Sequence, residues 1–137
     1  MSRISLIRPS LTFDEISSKI EKIINTGIYS NGENIAEFSS EISKLTKAKY
    51  CFPTSSATTA LWTCLKILDI KKDDEVLISD FSYPATVNVI EDLGAKPIFI
   101  DVCLEYFNMK PEDLEKKISP NAKAVIFVDA LGNPSGI

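Results

Sequence analysis

Between Lys49 and Val128 four short apolar segments recur about every 25 residues, with helical spacing in the intervals between them. They are Lys49-Tyr50-Cys51-Phe52-Pro53, Glu75-Val76-Leu77-Ile78-Ser79, Pro97-Ile98-Phe99-Ile100-Asp101 and the run from Ala122 to Val128. Strands separated by helices pair in parallel, through crossovers that lay the helices on the sheet. The pattern therefore predicts an α/β fold, a mainly parallel sheet covered by helices on both sides. The near-continuous apolarity of 122–128 predicts a strand buried on both faces.

Each interval carries its own helix signals. The small polar run Thr54 to Thr59 leads into a stretch with Leu61, Leu65 and Leu68. Pro84 suits a first helical turn, Val87 and Ile90 follow, and Gly94 can end the helix. Pro111-Glu112-Asp113 opens another, its acids opposing the macrodipole, with Leu114 and Ile118 as its apolar side. The charged run from Lys66 to Glu75 reads as a solvated turn. Upstream, Thr12 and Glu15 have capping-box spacing, Ile16, Ile20, Ile23 and Ile24 share one helical face, and Gly27 can terminate it. After the turn Ile28 to Gly32, Ile35, Phe38, Ile42 and Leu45 repeat at helical spacing, which predicts a second helix packed by that stripe. Residues 1–32 thus form a helix and arm, and 33–137 the beginning of an α/β domain. From Asp129 to Ile137 the chain reads as a strand-exit loop with no helix to cover the last strand, so this domain reads as cut short.

Composition narrows the chemistry. There is no histidine, which excludes Ser-His-Asp and Cys-His nucleophile systems and His-containing zinc sites. Lys and Arg number 15 and Asp and Glu 19, a net charge of −4, with no basic run to suit nucleic acid or a membrane surface. No stretch approaches the ~20 apolar residues of a membrane span, and Met1 to Pro9 lacks the apolar core of a signal peptide, so the expected location is the cytoplasm. Cys51, Cys64 and Cys103 are too far apart for a C-x-x-C pair, and no metal site is expected. Cys51 and Cys64 fall in apolar segments and read as buried free thiols.

Two loops can hold a ligand. Ser55, Ser56, Thr58 and Thr59, around the small Ala57, precede a helix whose free N–H groups and dipole suit a phosphate. The same hydroxyls also suit a plain helix cap. The loop is neither a Walker A sequence nor a dinucleotide fingerprint. Asp80 to Thr86 places an aromatic before a helix, either to stack on a planar ligand or to close the core. Asp101 and Asp129, at strand ends, suit catalytic carboxylates or solvated caps.

Several segments fall in a familiar order: Gly27-Ile28-Tyr29-Ser30-Asn31-Gly32 with Phe38 and Glu41, Ser56-Ala57-Thr58-Thr59-Ala60-Leu61, Asp74-Glu75-Val76, and Tyr83-Pro84-Ala85-Thr86-Val87-Asn88. Then come Gly94 to Asp101, Asn108, Lys123 to Ile126 and Gly132-Asn133-Pro134. From Gly27 to Pro134 the chain resembles the N-terminal part of the nucleotide-sugar aminotransferases of the DegT/DnrJ/StrS type, fold-type I enzymes that use pyridoxal 5′-phosphate (PLP). The resemblance implies that 33–137 is the first part of a PLP-binding large domain. It puts Ser56, Ala57 and Thr58 at the family's Ser-Gly-Thr phosphate turn, Tyr83 at the aromatic that stacks on the cofactor ring, and Ser30 and Asn31 near the substrate.

It further implies a homodimer and amino transfer from an amino acid, typically glutamate, to a nucleotide-linked keto-sugar in polysaccharide or secondary-metabolite synthesis. The family's Schiff-base lysine and pyridine-partner Asp lie C-terminal to everything here, so no catalytic residue is assigned and the chain alone is expected to be inactive. Ala57 stands where the family has glycine, Asp73 where a glycine usually precedes Asp-Glu-Val, and Asp129 near a common histidine. Tyr83 to Asn88 and Leu131 to Pro134 also resemble the keto-sugar 3-dehydratase branch. A dehydratase, a non-catalytic remnant acting as an interaction module, and an unrelated phosphate-binding α/β domain are the alternatives.

Overall fold

The computed structural model describes residues 10–135; the stretch read above for a signal peptide, residues 1–9, and the last two residues of the exit loop lie outside them. The chain forms two compact units, Met1–Pro53 and Thr54–Ile137.

The first unit holds α1 (Phe13–Thr26) and α2 (Glu33–Thr46). The Glu15 carboxylate accepts from the Thr12 N–H at 2.7 Å and from its hydroxyl at 2.8 Å, closing the capping signature at the N-terminus of α1. These bonds favour the charged form and hold the Glu15 carboxyl below its ordinary value. Gly27 takes the left-handed conformation (φ 67°) that ends the helix, its N–H on the Ile24 carbonyl at 3.1 Å. Within this unit neither helix has a buried residue, and Phe38 and Leu45 of the α2 stripe are exposed. Lys49 to Pro53, predicted as a strand, is not one. A strand exists only through its ladder bonds, and this segment has no ladder partner among the described residues, with Tyr50 and Phe52 67% and 84% exposed.

The second unit is α3 (Ala57–Ile67), β1 (Glu75–Ser79), α4 (Pro84–Asp92), β2 (Lys96–Ile100), α5 (Pro111–Lys117), β3 (Ala122–Ile126) and a 3₁₀ turn at Ala130–Gly132. The three strands form a parallel sheet in the order β2-β1-β3, with Leu77 of β1 opposite Ile98 and Val125. Strand period sorts β1 into two cores. Val76 and Ile78 join Leu65 of α3 and Val89 and Ile90 of α4 on one face, while Leu77 meets Ile100, Met109 and Leu114 of α5 on the other. The sheet is covered on both sides, as the strand-helix alternation predicts. The strand buried on both faces, however, is β1 and not β3. β3 is an edge strand in this sheet, and Lys123 and Val125 are exposed, because two-sided burial follows position in the sheet more than local apolarity.

Of the run read as a solvated turn, Lys71 to Asp73 are exposed, but Lys66 and Ile67 belong to α3, Ile70 is buried in the core and Glu75 begins β1; Asp73 has φ 71°. The backbone explains why a glycine suits that position. The thiols are free, but Cys64 is exposed and Cys51 only partly buried, contrary to the expectation of buried cysteines. Leu65 takes the inward position on α3, which leaves the neighbouring Cys64 on the rim.

Candidate functional site

Because β1, β2 and β3 are parallel, the loops that leave them emerge at one edge of the sheet. α3 and α4 run side by side: Thr58 and Asn88 line one groove of about 400 Å³ with Trp62 and Asp92, and the Trp62 indole N–H donates to Asp92 Oδ2 at 2.8 Å. The N-terminus of α3 therefore lies toward the edge at which α4 begins.

Ser56 caps α3. Its Oγ accepts from the Thr59 N–H at 3.1 Å, and its carbonyl accepts from the Ala60 N–H at 3.1 Å. The capping reading of this loop is thus realised. It leaves two donors over: among the described residues the Ala57 and Thr58 N–H groups meet no acceptor, nor does the Thr58 hydroxyl. No acid sits in the first turn. Ala57 is the first residue of the helix and has no positive φ, so alanine fits where the family pattern has glycine. Free N–H groups, hydroxyls and the positive end of the helix dipole suit a phosphate dianion.

Tyr83 is the residue before α4, and its carbonyl accepts from the Thr86 N–H at 2.9 Å. The residue is 76% exposed and lines a cleft of about 300 Å³. The cleft is built from the β1 exit loop, Phe81 to Pro84, and the β3 exit, Val128 to Leu131. The aromatic is therefore available for stacking and is not spent on closing the core. Asp129 lines the same cleft; Ser56, Ala57 and Thr58 do not. Ser30 and Asn31 belong to the first unit, exposed in the turn between α1 and α2, with Asn31 at φ 55°.

Asp101 has a structural part. It forms an ion pair with Lys110 and accepts from the Val102 N–H at 2.8 Å, and both hold its carboxyl below its ordinary value. Asn108, named above only as one of the residues of the family pattern, has a place in this region that the sequence did not assign. It is fully buried and hydrogen-bonded to the β3 exit loop, where Asn is ordinarily a surface residue and local pattern gives no signal of burial. Among the described residues no helix is long and apolar enough to cross a membrane.

Comparison with known proteins agrees with this architecture. The chain is 35% identical over 134 residues to the GDP-perosamine synthase of Escherichia coli O157:H7, covering 98% of this chain and 37% of that protein. It is 33% identical over 119 residues to the UDP-2-acetamido-2-deoxy-3-oxo-D-glucuronate aminotransferase of Pseudomonas aeruginosa, covering 87% and 33%. A solved structure described as a sugar aminotransferase from Streptococcus pneumoniae, in its PMP form, superposes with a TM-score of 0.87 at 28% identity over 96% of this chain and 33% of that one. The chain thus spans about a third of the length of the curated relatives it matches. A family model matches residues 12–137, and the chain belongs to the DegT/DnrJ/EryC1/StrS aminotransferase family.

Proposed function

We propose that the intact protein is a PLP-dependent aminotransferase that moves an amino group from an amino acid, glutamate, to the keto group of a nucleotide-linked sugar, and works as a cytoplasmic homodimer. Residues 1–32 serve as its arm and 33–137 as the first part of its cofactor-binding domain. The observation that carries this reading is the N-terminus of α3, where free Ala57 and Thr58 N–H groups, the Thr58 hydroxyl and an acid-free first turn coincide with the family match. PLP, when bound, supplies the electron sink that amino transfer requires.

In this reading Ser56 holds the first turn of α3 in shape, so that the Ala57 and Thr58 N–H groups point at the phosphate without reorganisation. Tyr83 would stack on the cofactor ring and shield it from water. Ser30 and Asn31 contact the sugar nucleotide. The lysine and the carboxylate that complete the chemistry come from sequence outside these 137 residues, so this chain alone binds and positions but does not turn over.

Calorimetric titration of the chain with PLP and with inorganic phosphate tests the site. Both are expected to bind, and the Ser56→Ala/Thr58→Ala double variant to bind each about tenfold more weakly, the loss of one or two hydrogen bonds to a charged group. Unchanged affinity in that variant defeats the assignment. Mass analysis of the product that the full reading frame forms from glutamate and a nucleotide keto-sugar tests the reaction: an amino sugar is expected, and loss of water without amination would make the protein a 3-dehydratase.

A further inference from the structure

The cleft between the β1 and β3 exit loops is built from chain segments nearly 50 residues apart, and a third segment touches both. After β2 the chain folds back on itself. Val102 and Met109 form an antiparallel bridge, the Cys103 N–H donates to the Asn108 carbonyl at 2.9 Å, and the Lys110 N–H donates to the Asp101 carbonyl at 2.9 Å. The turn is thereby closed upon itself and seated in the core through Met109, which is buried.

From its tip two side chains leave in succession. Phe107, held at φ 59°, sets its ring 5.3 Å from that of Phe81 in the β1 exit loop. Asn108, fully buried, spends its amide on the β3 exit loop: Nδ2 donates to the carbonyls of Asn133 at 2.7 Å and Ser135 at 2.6 Å, and Oδ1 accepts from the Ala130 N–H at 2.9 Å. A buried amide with three partners in one loop leaves that loop little freedom, since breaking any of the bonds strands a polar group away from water. The left-handed backbone at Phe107, costly for an aromatic residue, is retained where it lets adjacent residues reach two different loops.

We propose that the turn after β2 is a bracket that sets the width of the Tyr83–Asp129 cleft, with Asn108 as its positioning residue for the β3 exit loop and Phe107 for the β1 exit loop. That this cleft receives the ring of PLP rests on the function proposed above; the bracketing itself does not. Neither residue lines the cleft. They act through Ala130 and Phe81.

Hydrogen exchange on the chain without ligand tests the bracket directly. Asn108→Asp keeps the shape and the acceptor for Ala130 but turns the donor to Asn133 and Ser135 into a repelling oxygen. Amides of Ala130 to Asn133 and of Ser135 should exchange at least about tenfold faster, the factor that one lost buried hydrogen bond gives, while β1 amides stay protected. Phe107→Ala should loosen 80–83 in the same way and leave 130–135 unchanged. Equal exchange in variant and parent overturns the proposal, and so does uniform loss of protection including β1, which would make Asn108 a residue of global stability only.

The second measurement is ligand affinity. Asn108→Asp should weaken PLP severalfold and leave inorganic phosphate at the α3 N-terminus unaffected, a split that general destabilisation does not produce. Parallel loss of both overturns the positioning role. If the parent chain binds phosphate but not PLP, the cofactor reading fails, and the exchange result still decides the bracket.

Discussion

The indole N–H of Trp62 donates to Asp92 Oδ2 at 2.8 Å, a bond across 30 residues of sequence that ties the middle of α3 to the last residue of α4. It sets the level of the two helices against each other, and hence the height of the α3 N-terminus above the sheet edge. The bond is at the surface, so its net worth is that of an ordinary charge-assisted bond, about 1 kcal/mol. Asp92→Asn should lower the urea midpoint by a corresponding amount. In a double-mutant cycle with Trp62→Phe the two losses should not add. Additive losses would mean that the pair is not coupled.

Asp73 provides a test of backbone strain. Its φ of 71° is a conformation that glycine adopts freely and that aspartate adopts at a modest cost. Its ion pair with Lys96, at 3.2 Å between exposed side chains, offsets little of that cost. Asp73→Gly should therefore raise stability by about 0.5 kcal/mol, read as an increase in thermal midpoint. A lower midpoint would show that the Lys96 pair outweighs the strain.

Ser79 ends β1 fully buried, and its hydroxyl has no hydrogen-bond partner among the described residues. Desolvating a hydroxyl without compensation is unfavourable. Ser79→Ala should leave stability unchanged or raise it by about 1 kcal/mol in chemical denaturation. A clear loss would place a bound water on that oxygen.

Acid should loosen the link between β2 and α5. The Asp113 carboxylate pairs with Lys117 at 2.8 Å and accepts from the Asp101 N–H at 2.8 Å, and these interactions hold its carboxyl below the ordinary value of 3.8. Asp101 is lowered likewise, first by Lys110 and then by the Val102 N–H. A carboxyl depressed in the folded state binds its proton more tightly when unfolded. Its contribution is present above the ordinary carboxylate value and is lost as pH falls through the folded value. The denaturation midpoint should drop on acidification through that range, and the Asp113→Asn variant should show a shallower drop. Equal slopes would remove Asp113 from the account.

Much of this architecture is legible in the sequence. Thr12, Glu15 and Gly27 bound α1 because caps and left-handed stops act within a few residues, and Pro84 and Pro111 open α4 and α5 for the same local reason. Ser56 capping α3 was readable too, as was Tyr83 standing at a helix entry. β3 is apolar enough for a central strand yet lies at the edge of the three-stranded sheet, because apolar composition does not set a strand's place among its neighbours. Lys49 to Pro53 is apolar yet joins no ladder among the described residues, since apolar residues propose a strand but only a partner's N–H and C=O groups make one.

The sequence by itself determined the alternation of helices and strands from α3 to β3, the parallel pairing that this alternation forces, and the family, since all three reside in local pattern and in the succession of motifs. The tertiary structure alone decided which strand is central, that among the described residues the Ala57 and Thr58 N–H groups meet no acceptor, and that Asn108 is drawn into the interior to hold a loop more than 20 residues away. Burial and long-range hydrogen bonds depend on which surfaces meet when the chain closes on itself, and no window of neighbouring residues carries that information.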